Sequence, residues 1–169
     1  MSTYFNPEIR LALEKINFAD RYVALSKDAW SNSEDFPLDK LSPGDISQII
    51  NQLGYSATYN KKEQFHKVGL IEHESGYIIY LNIAVHQTRV EFILVAYFKG
   101  ELVLGDPWGL CLKLLKPYEN KVPPPRYSDK ENLTCILSDG LKLYDDFVDA
   151  ITATANTVTP APNNLPYTQ

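Results

Sequence analysis

Two neighbouring segments of the chain alternate apolar and other side chains with a period of two, and this alternation constrains the fold more than any other feature. The positions that share one face are Tyr77, Ile79, Leu81, Ile83 and Val85 in the first segment and Val90, Phe92, Leu94, Ala96 and Phe98 in the second. Successive side chains on a β-strand point to opposite faces, so each segment predicts a strand with one buried face. The opposite face mixes apolar and polar residues, which indicates a surface that is partly covered or in contact with water.

Short turn signals join these strands to their neighbours. They stand at Glu74-Ser75-Gly76, at 86–88 and at Lys99-Gly100. Short connections between consecutive strands imply antiparallel pairing, so we predict a meander. The further strands are predicted at 65–72, 102–105 and 110–115.

Helix signals lie on both sides of the strands. Asn6-Pro7 and Ser42-Pro43 each place a capping side chain before a proline that favours the first helical turn. A break near Asn17 is expected within the first helical pattern. Near the C-terminus, Ser128 and Glu131 are spaced as a capping box, and apolar residues then recur at helical spacing as far as Ile151.

These patterns predict a single α+β domain over residues 1–151. It has a four- to five-stranded antiparallel meander sheet packed by N-terminal helices and one long C-terminal helix. Residues 152–169 carry no charge and hold three prolines, so we predict a disordered tail there. The polar segment 26–40 is predicted to be a loop.

The composition limits the classes of protein to which the chain can belong. The 169 residues carry a formal net charge of −5, which disfavours nucleic acid as a partner. No apolar run approaches the roughly 20 residues of a membrane helix, and no secretory signal is visible at the start. We therefore expect a cytoplasmic protein that contacts neither membrane nor nucleic acid. Two cysteines do not make a disulfide framework.

No common catalytic motif is present in the sequence. We find no Gly-rich phosphate loop, no H-E-x-x-H and no G-x-S-x-G, so we expect no cofactor and no metal. Dispersed candidates remain, because His66, His86, Asp106 and Cys111 could supply a Cys/His or His/Asp site assembled on the sheet of a small hydrolase. The apolar sequence around Cys111 and Cys135 predicts that both are small buried side chains.

One stretch resembles part of a known family. The segment 90–94, followed by a hairpin and Gly105-Asp106-Pro107-Trp108-Gly109, is similar to the second half of papain-like peptidases that process bacteriocins. In that family a histidine opens one strand and an Asp-Pro follows the next. Here Glu91 lies near the histidine position, and no cysteine precedes Cys111. The resemblance therefore implies a local fold and not a peptidase site, and the simple alternative for 105–109 is a tight turn.

Negative charge is concentrated in two parts of the chain. Residues 127–169 hold six acidic residues and two lysines, a local net charge of −4. A second acidic patch, which includes Asp35, surrounds Trp30 and Phe36. An acidic exterior attracts basic partners, and aromatic side chains within a charged rim are typical of interface hot spots. The alternative is an ordinary solvated helix face.

These observations predict a non-catalytic protein-binding module. In general character the chain resembles bacterial immunity proteins, which neutralise a toxin by direct binding. Its partner would be a protein, such as a basic toxin domain, and the chain itself a monomer or homodimer. The predicted partner-binding residues are Trp30, Asp35, Phe36, Trp108, Asp145, Asp146 and Asp149.

Overall fold

One antiparallel sheet with a layer of helices forms the structure, a computed structural model that describes residues 5–27, 41–117, 119 and 121–157. The helices in these ranges are α1 (Pro7–Lys15), α2 (Phe18–Leu25), α3 (Pro43–Gln52), α4 (Trp108–Leu115) and α5 (Lys130–Thr157). The strands are β1 (Ala57–Asn60), β2 (Phe65–Glu72), β3 (Tyr77–His86), β4 (Arg89–Phe98) and β5 (Glu101–Pro107).

The sheet is the meander that the sequence predicts. Its five strands lie in the order β1-β2-β3-β4-β5, and each pairs antiparallel with the next. Together with the N-terminal helices and the long C-terminal helix, this confirms the α+β class. The register shifts between Val68 and Ile71 in β2 and between Ala96 and Tyr97 in β4.

The N-terminal helices begin and end where the sequence signals stand. The Asn6 side chain accepts a hydrogen bond from the Glu8 backbone N–H at 2.8 Å and caps α1. Asn17 has a left-handed backbone with φ 56° and separates α1 from α2. Asn adopts this conformation more readily than most residues. Ser42 and Asp45 form a reciprocal capping box at the start of α3.

The helices cover one face of the sheet, where the core lies. From α5, the Tyr144 hydroxyl donates to the backbone carbonyl of Ile79 on β3 at 3.1 Å. From α4, the Trp108 ring stacks on Phe92 of β4, with the ring centroids 4.5 Å apart. Glu8 of α1 accepts a hydrogen bond from the Tyr77 hydroxyl at 2.8 Å. Each of these contacts is made on the same side of the sheet.

The predicted strand at 110–115 is wrong, because these residues belong to α4. The segment is apolar on nearly all sides, and a short apolar run gives no periodicity that separates a buried helix from a buried strand. Cys111 is therefore a helical residue and is fully buried. Cys135 was predicted to be buried, but it is exposed on α5.

The start and end of α5 also differ from the prediction. Asp129, rather than Ser128, caps the helix, because its Oδ1 accepts from the Asn132 backbone N–H at 2.7 Å. The helix continues to Thr157, six residues past Ile151. Residues 158–169 of the predicted tail lie outside the described residues, as do Trp30, Asp35 and Phe36. None of the helices in the described ranges combines the length and apolar composition needed to cross a membrane.

Candidate functional site

The exposed side of α5 carries four of the aspartates noted in the sequence. Asp139, Asp145, Asp146 and Asp149 recur at helical spacing on the side that faces away from the sheet, and we call this surface the acidic stripe. The Tyr55 hydroxyl donates to Asp145. Arg21 pairs with Asp146, with Nη2 2.8 Å from Oδ2. The structure thus brings together the three aspartates predicted to bind a partner, and it engages two of them in contacts within the chain.

The acidic stripe destabilises α5 less than the position of its aspartates in the sequence suggests. The last turn of a helix disfavours negative charge, but this effect extends over only that turn. Because α5 continues to Thr157, Asp149 lies about two turns before the end. Part of the negative charge is also balanced by Arg21, which packs beside Asp146.

Two single substitutions separate the structural and the free carboxylates of the acidic stripe. Asp146→Asn removes the ion pair with Arg21, and we expect a loss of about 0.2–1 kcal/mol in the free energy of unfolding. Asp149→Asn, on the exposed side of the same helix, should change it by less than about 0.5 kcal/mol. Urea denaturation of both variants at low and high salt measures the difference. Equal effects, or a loss from Asp146→Asn that salt leaves unchanged, would contradict the ion-pair explanation.

Trp108 cannot serve as a surface anchor in this structure. The sequence predicted it to be a partner-binding residue, but its side chain is 1% exposed and lies against Phe18, Tyr22 and Phe92. It is the first residue of α4, so the chain turns inward immediately after Pro107. We therefore leave Trp108 out of any contact surface.

The dispersed hydrolase candidates are not assembled into a site. His66 is buried on β2, and its Nε2 lies 3.1 Å from the carbonyl oxygen of Pro43. Asp106 is on β5, three strands away, which corresponds to about 14 Å at the usual strand spacing. His86 is exposed at the end of β3. Burial raises the pKa of the Cys111 thiol, which disfavours the nucleophilic thiolate.

The residues in the described ranges also show no grouping of three His, Cys, Asp or Glu side chains that could hold a metal ion.

The sheet face opposite the helices forms a second surface, which we call the open sheet face. Strand pairing aligns its side chains in rows across β2 to β5. The rows are Glu72, Ile78, Tyr97 and Leu102; then Tyr80, Val95 and Gly105; then Lys67, Asn82, Ile93 and Pro107. The first row leaves two large apolar side chains in contact with solvent, since Ile78 is 36% exposed and Leu102 is 58% exposed.

Polar contacts hold the aromatic side chains of the open sheet face in place. Burial, and then the neighbouring Tyr97 hydroxyl, raise the pKa of Tyr80. Lys67 extends over the Tyr80 ring, with Nζ 4.0 Å from the centroid. The Oδ1 atom of Asn82 is buried and has no hydrogen-bond partner in the described structure. The face thus combines aromatic rings with apolar side chains.

The open sheet face was indicated by the sequence but not singled out. Ile78, Tyr80, Asn82 and Ala84 stand at the alternate positions of β3 and produced the mixed pattern. That pattern does not tell whether a second layer of helices covers the face. The positions of α1 to α5 decide this, and they depend on tertiary packing.

In comparisons with protein-family models, with curated protein sequences and with solved structures, no match to this chain was found.

Proposed function

We propose that the chain is a non-catalytic protein-binding module, an immunity-type inhibitor that neutralises a bacterial toxin in the cytoplasm by direct binding. The observation that carries the proposal is the open sheet face, where Ile78, Tyr97 and Leu102 lie in one row across three strands. We assign the contact with the partner to this face rather than to the acidic stripe.

The composition of the open sheet face supports contact with a protein. Tyr97 and Tyr80 supply large contact areas with few rotatable bonds, and tyrosine is enriched among residues that contribute most to binding. Around them, Lys67, Glu72 and Glu91 supply charges of both signs at the edge of the face. An apolar centre with a charged rim is the usual anatomy of a protein interface.

Fixed side chains favour tight binding. The position of Lys67 over the Tyr80 ring restricts both side chains before a partner arrives. Side chains that are already ordered lose less conformational entropy on binding.

The negative charge acts at longer range in this proposal. A net charge of −5 attracts a basic toxin domain and raises the rate of association, whichever face makes the contact. Replacing Asp149 by Lys should therefore slow association several-fold at low salt and have little effect at high salt. The dissociation rate should not change, because the acidic stripe and the open sheet face lie on opposite sides.

The test uses the proteins encoded next to the gene for this chain, because an inhibitor must be made whenever its toxin is made. We expect one of them to arrest growth, co-expression of this chain to restore it, and the two purified proteins to form a stable complex. Ile78→Lys with Leu102→Lys should weaken the complex at least about 100-fold, since two interface anchors each contribute about 1–2 kcal/mol or more.

A matched control is available on the helical side. Leu11 on α1 is 59% exposed, close to the value for Leu102, so Leu11→Lys makes the same chemical change away from the open sheet face. This variant should bind as the parent chain does. The proposal fails if no neighbouring product is bound, if growth returns without a complex, or if the double lysine variant binds as tightly as Leu11→Lys.

A further inference from the structure

The three rows of the open sheet face are self-complementary under a two-fold rotation. The row of Tyr80, Val95 and Gly105 is the middle one. Two sheets that pack face to face keep their strands within about 30° of each other. When a second copy packs in this way and the two-fold axis crosses the strands over the middle row, each strand faces its own counterpart in the opposite direction. The first row of one copy then lies over the third row of the other.

Opposite charges stand at the two ends of β2 on this face. Lys67 belongs to the third row and Glu72 to the first. Residues five apart in a regular strand point to opposite faces, but the register shift between Val68 and Ile71 adds one residue and returns Glu72 to the face of Lys67. Gly69, with φ 66°, supplies the left-handed backbone of this bulge. The two-fold arrangement therefore places Lys67 of each copy against Glu72 of the other.

The apolar side chains of the rows are matched in the same arrangement. Tyr97 of the first row lies over Ile93 of the third, and Leu102 lies over Pro107. At the axis, Tyr80 meets its own counterpart. Leu102 is 58% exposed in the single chain, and its removal from water favours the contact.

The helical side of the chain is less suited to self-association. A second copy in contact with the acidic stripe would bring aspartates against aspartates, and like charges across an interface repel. On the open sheet face, Lys67 and Glu72 instead give each copy one charge of each sign at positions that match. Charge therefore favours the sheet side as the surface that meets a second copy.

We propose that the free chain forms a homodimer through the open sheet face, and that the partner protein competes with the second copy for this surface. Four strands and three rows make a small interface, which suits a weak, reversible dimer that a tighter partner displaces. Self-association keeps Ile78 and Leu102 out of contact with other proteins until the partner is present. The competition rests on the proposed function, whereas the homodimer is tested on the chain alone.

Analytical ultracentrifugation of the purified chain from about 1 to 300 μM measures the self-association. We expect a reversible monomer–dimer equilibrium with a Kd of about 1–100 μM. Ile78→Lys with Leu102→Lys should leave only monomer over this range. Leu11→Lys, the matched change on the helical side, should dimerise as the parent chain does.

An exchange of charges tests the two-fold arrangement itself. Lys67→Glu replaces two ion pairs of the dimer by two contacts between carboxylates, so the dimer should weaken about tenfold or more at low salt. Adding Glu72→Lys to this variant exchanges both charges and should restore the dimer. Lys142→Glu makes the same change of charge on the exposed side of α5 and should leave the dimer unchanged. Circular dichroism checks that each variant is folded.

The competition is measured with the partner protein of the proposed function. Adding this protein should convert the homodimer into a complex in which the second copy is lost. Its apparent affinity should fall as the concentration of this chain rises above the Kd of the dimer, because more of the open sheet face is then occupied.

Four results would overturn the proposal. They are a chain that stays monomeric at about 300 μM, a dimer that persists in the variant with Ile78→Lys and Leu102→Lys, a charge-exchanged variant that associates no better than Lys67→Glu, and a homodimer that persists within the partner complex. The first three are measured without a partner. A failure to find any partner therefore counts against the proposed function and not against the homodimer.

Discussion

Replacing Gly140 with Ala should destabilise the chain by about 1–3 kcal/mol, although alanine is the better helix former. In the middle of a helix, Ala is favoured over Gly by up to about 1 kcal/mol. At this position, however, a Cβ atom would lie 2.5 Å from Cζ and 2.6 Å from Cε1 of Phe92. Contacts this short force a displacement, and overpacking a core typically costs about 1–3 kcal/mol.

The Phe92 ring has no room to move away. It is 1% exposed and is held on another side by the stacked ring of Trp108. The strain must therefore be taken up by a shift of α5 against β4, which disturbs the centre of the core. Gly140 allows the helix backbone to approach the sheet closely enough for this ring to fill the gap.

Gly44→Ala is the matched control for this substitution. Gly44 is exposed in the first turn of α3, and a Cβ atom there would meet only the Ser42 Oγ at 3.6 Å, an ordinary contact. This variant should gain up to about 1 kcal/mol. Urea denaturation of both variants decides the matter, and a Gly140→Ala chain as stable as Gly44→Ala would show that Phe92 does not constrain the helix.

Gly140 also shows how far the sequence alone could lead. Its place in a strong helical pattern marks an exception that suggests a bend or a close contact. The sequence cannot name the partner, since Phe92 lies 48 positions earlier in the chain. Strands β2 to β5 and the starts of α1 and α3 were predictable because period-two patterns and capping residues are local, whereas β1 and the cap of α5 were not predicted. By contrast, α4 was not predictable, because its apolar residues carry no clear period.

The candidate site was less predictable than the fold, because most of its residues are far apart in the chain and no local pattern connects them. The acidic stripe is visible in the sequence because its aspartates are close together in one helix. The open sheet face joins residues of β2, β3, β4 and β5 and depends on where the helices pack. Trp108 illustrates the opposite error. A tryptophan in a Gly- and Pro-rich turn suggests a surface residue, but the start of α4 directs it into the core.

The chain should unfold between about pH 10 and pH 12, because buried tyrosines resist ionisation. Burial raises the pKa of Tyr22 from its usual value of 10 to about 12. Burial, and then the hydrogen bond to Asp145, raise the pKa of Tyr55 to about 12. Burial likewise raises the pKa values of Tyr77 and Tyr144. All of these hydroxyls remain neutral in the folded chain at a pH where unfolded tyrosines ionise.

The direction of the effect follows from the sign of these shifts. Below pH 10 the tyrosine hydroxyls keep their protons in both the folded and the unfolded state, so their ionisation does not lower the free energy of unfolding. Between pH 10 and pH 12 only the unfolded state loses these protons, so the free energy of unfolding falls as the pH rises. For Tyr22 alone a shift of two pH units corresponds to at most about 2.7 kcal/mol. Tyr77 and Tyr144 are also buried and lower the stability in the same direction, whereas the half-buried Tyr55 contributes less because solvent screens it.

Tyr22→Phe provides the decisive comparison, because phenylalanine keeps the ring that packs against Phe18 and Trp108 and cannot ionise. The unfolding free energy of this variant relative to the parent chain should increase as the pH rises from 10 to 12. Parallel measurements of tyrosinate absorbance at 295 nm and far-ultraviolet circular dichroism follow ionisation and unfolding together. In the parent chain, the tyrosinate absorbance of the buried tyrosines should rise over the same pH range in which the circular dichroism of the helices is lost. If the difference between the two chains stays constant from pH 8 to pH 12, the buried hydroxyl of Tyr22 does not control stability at high pH.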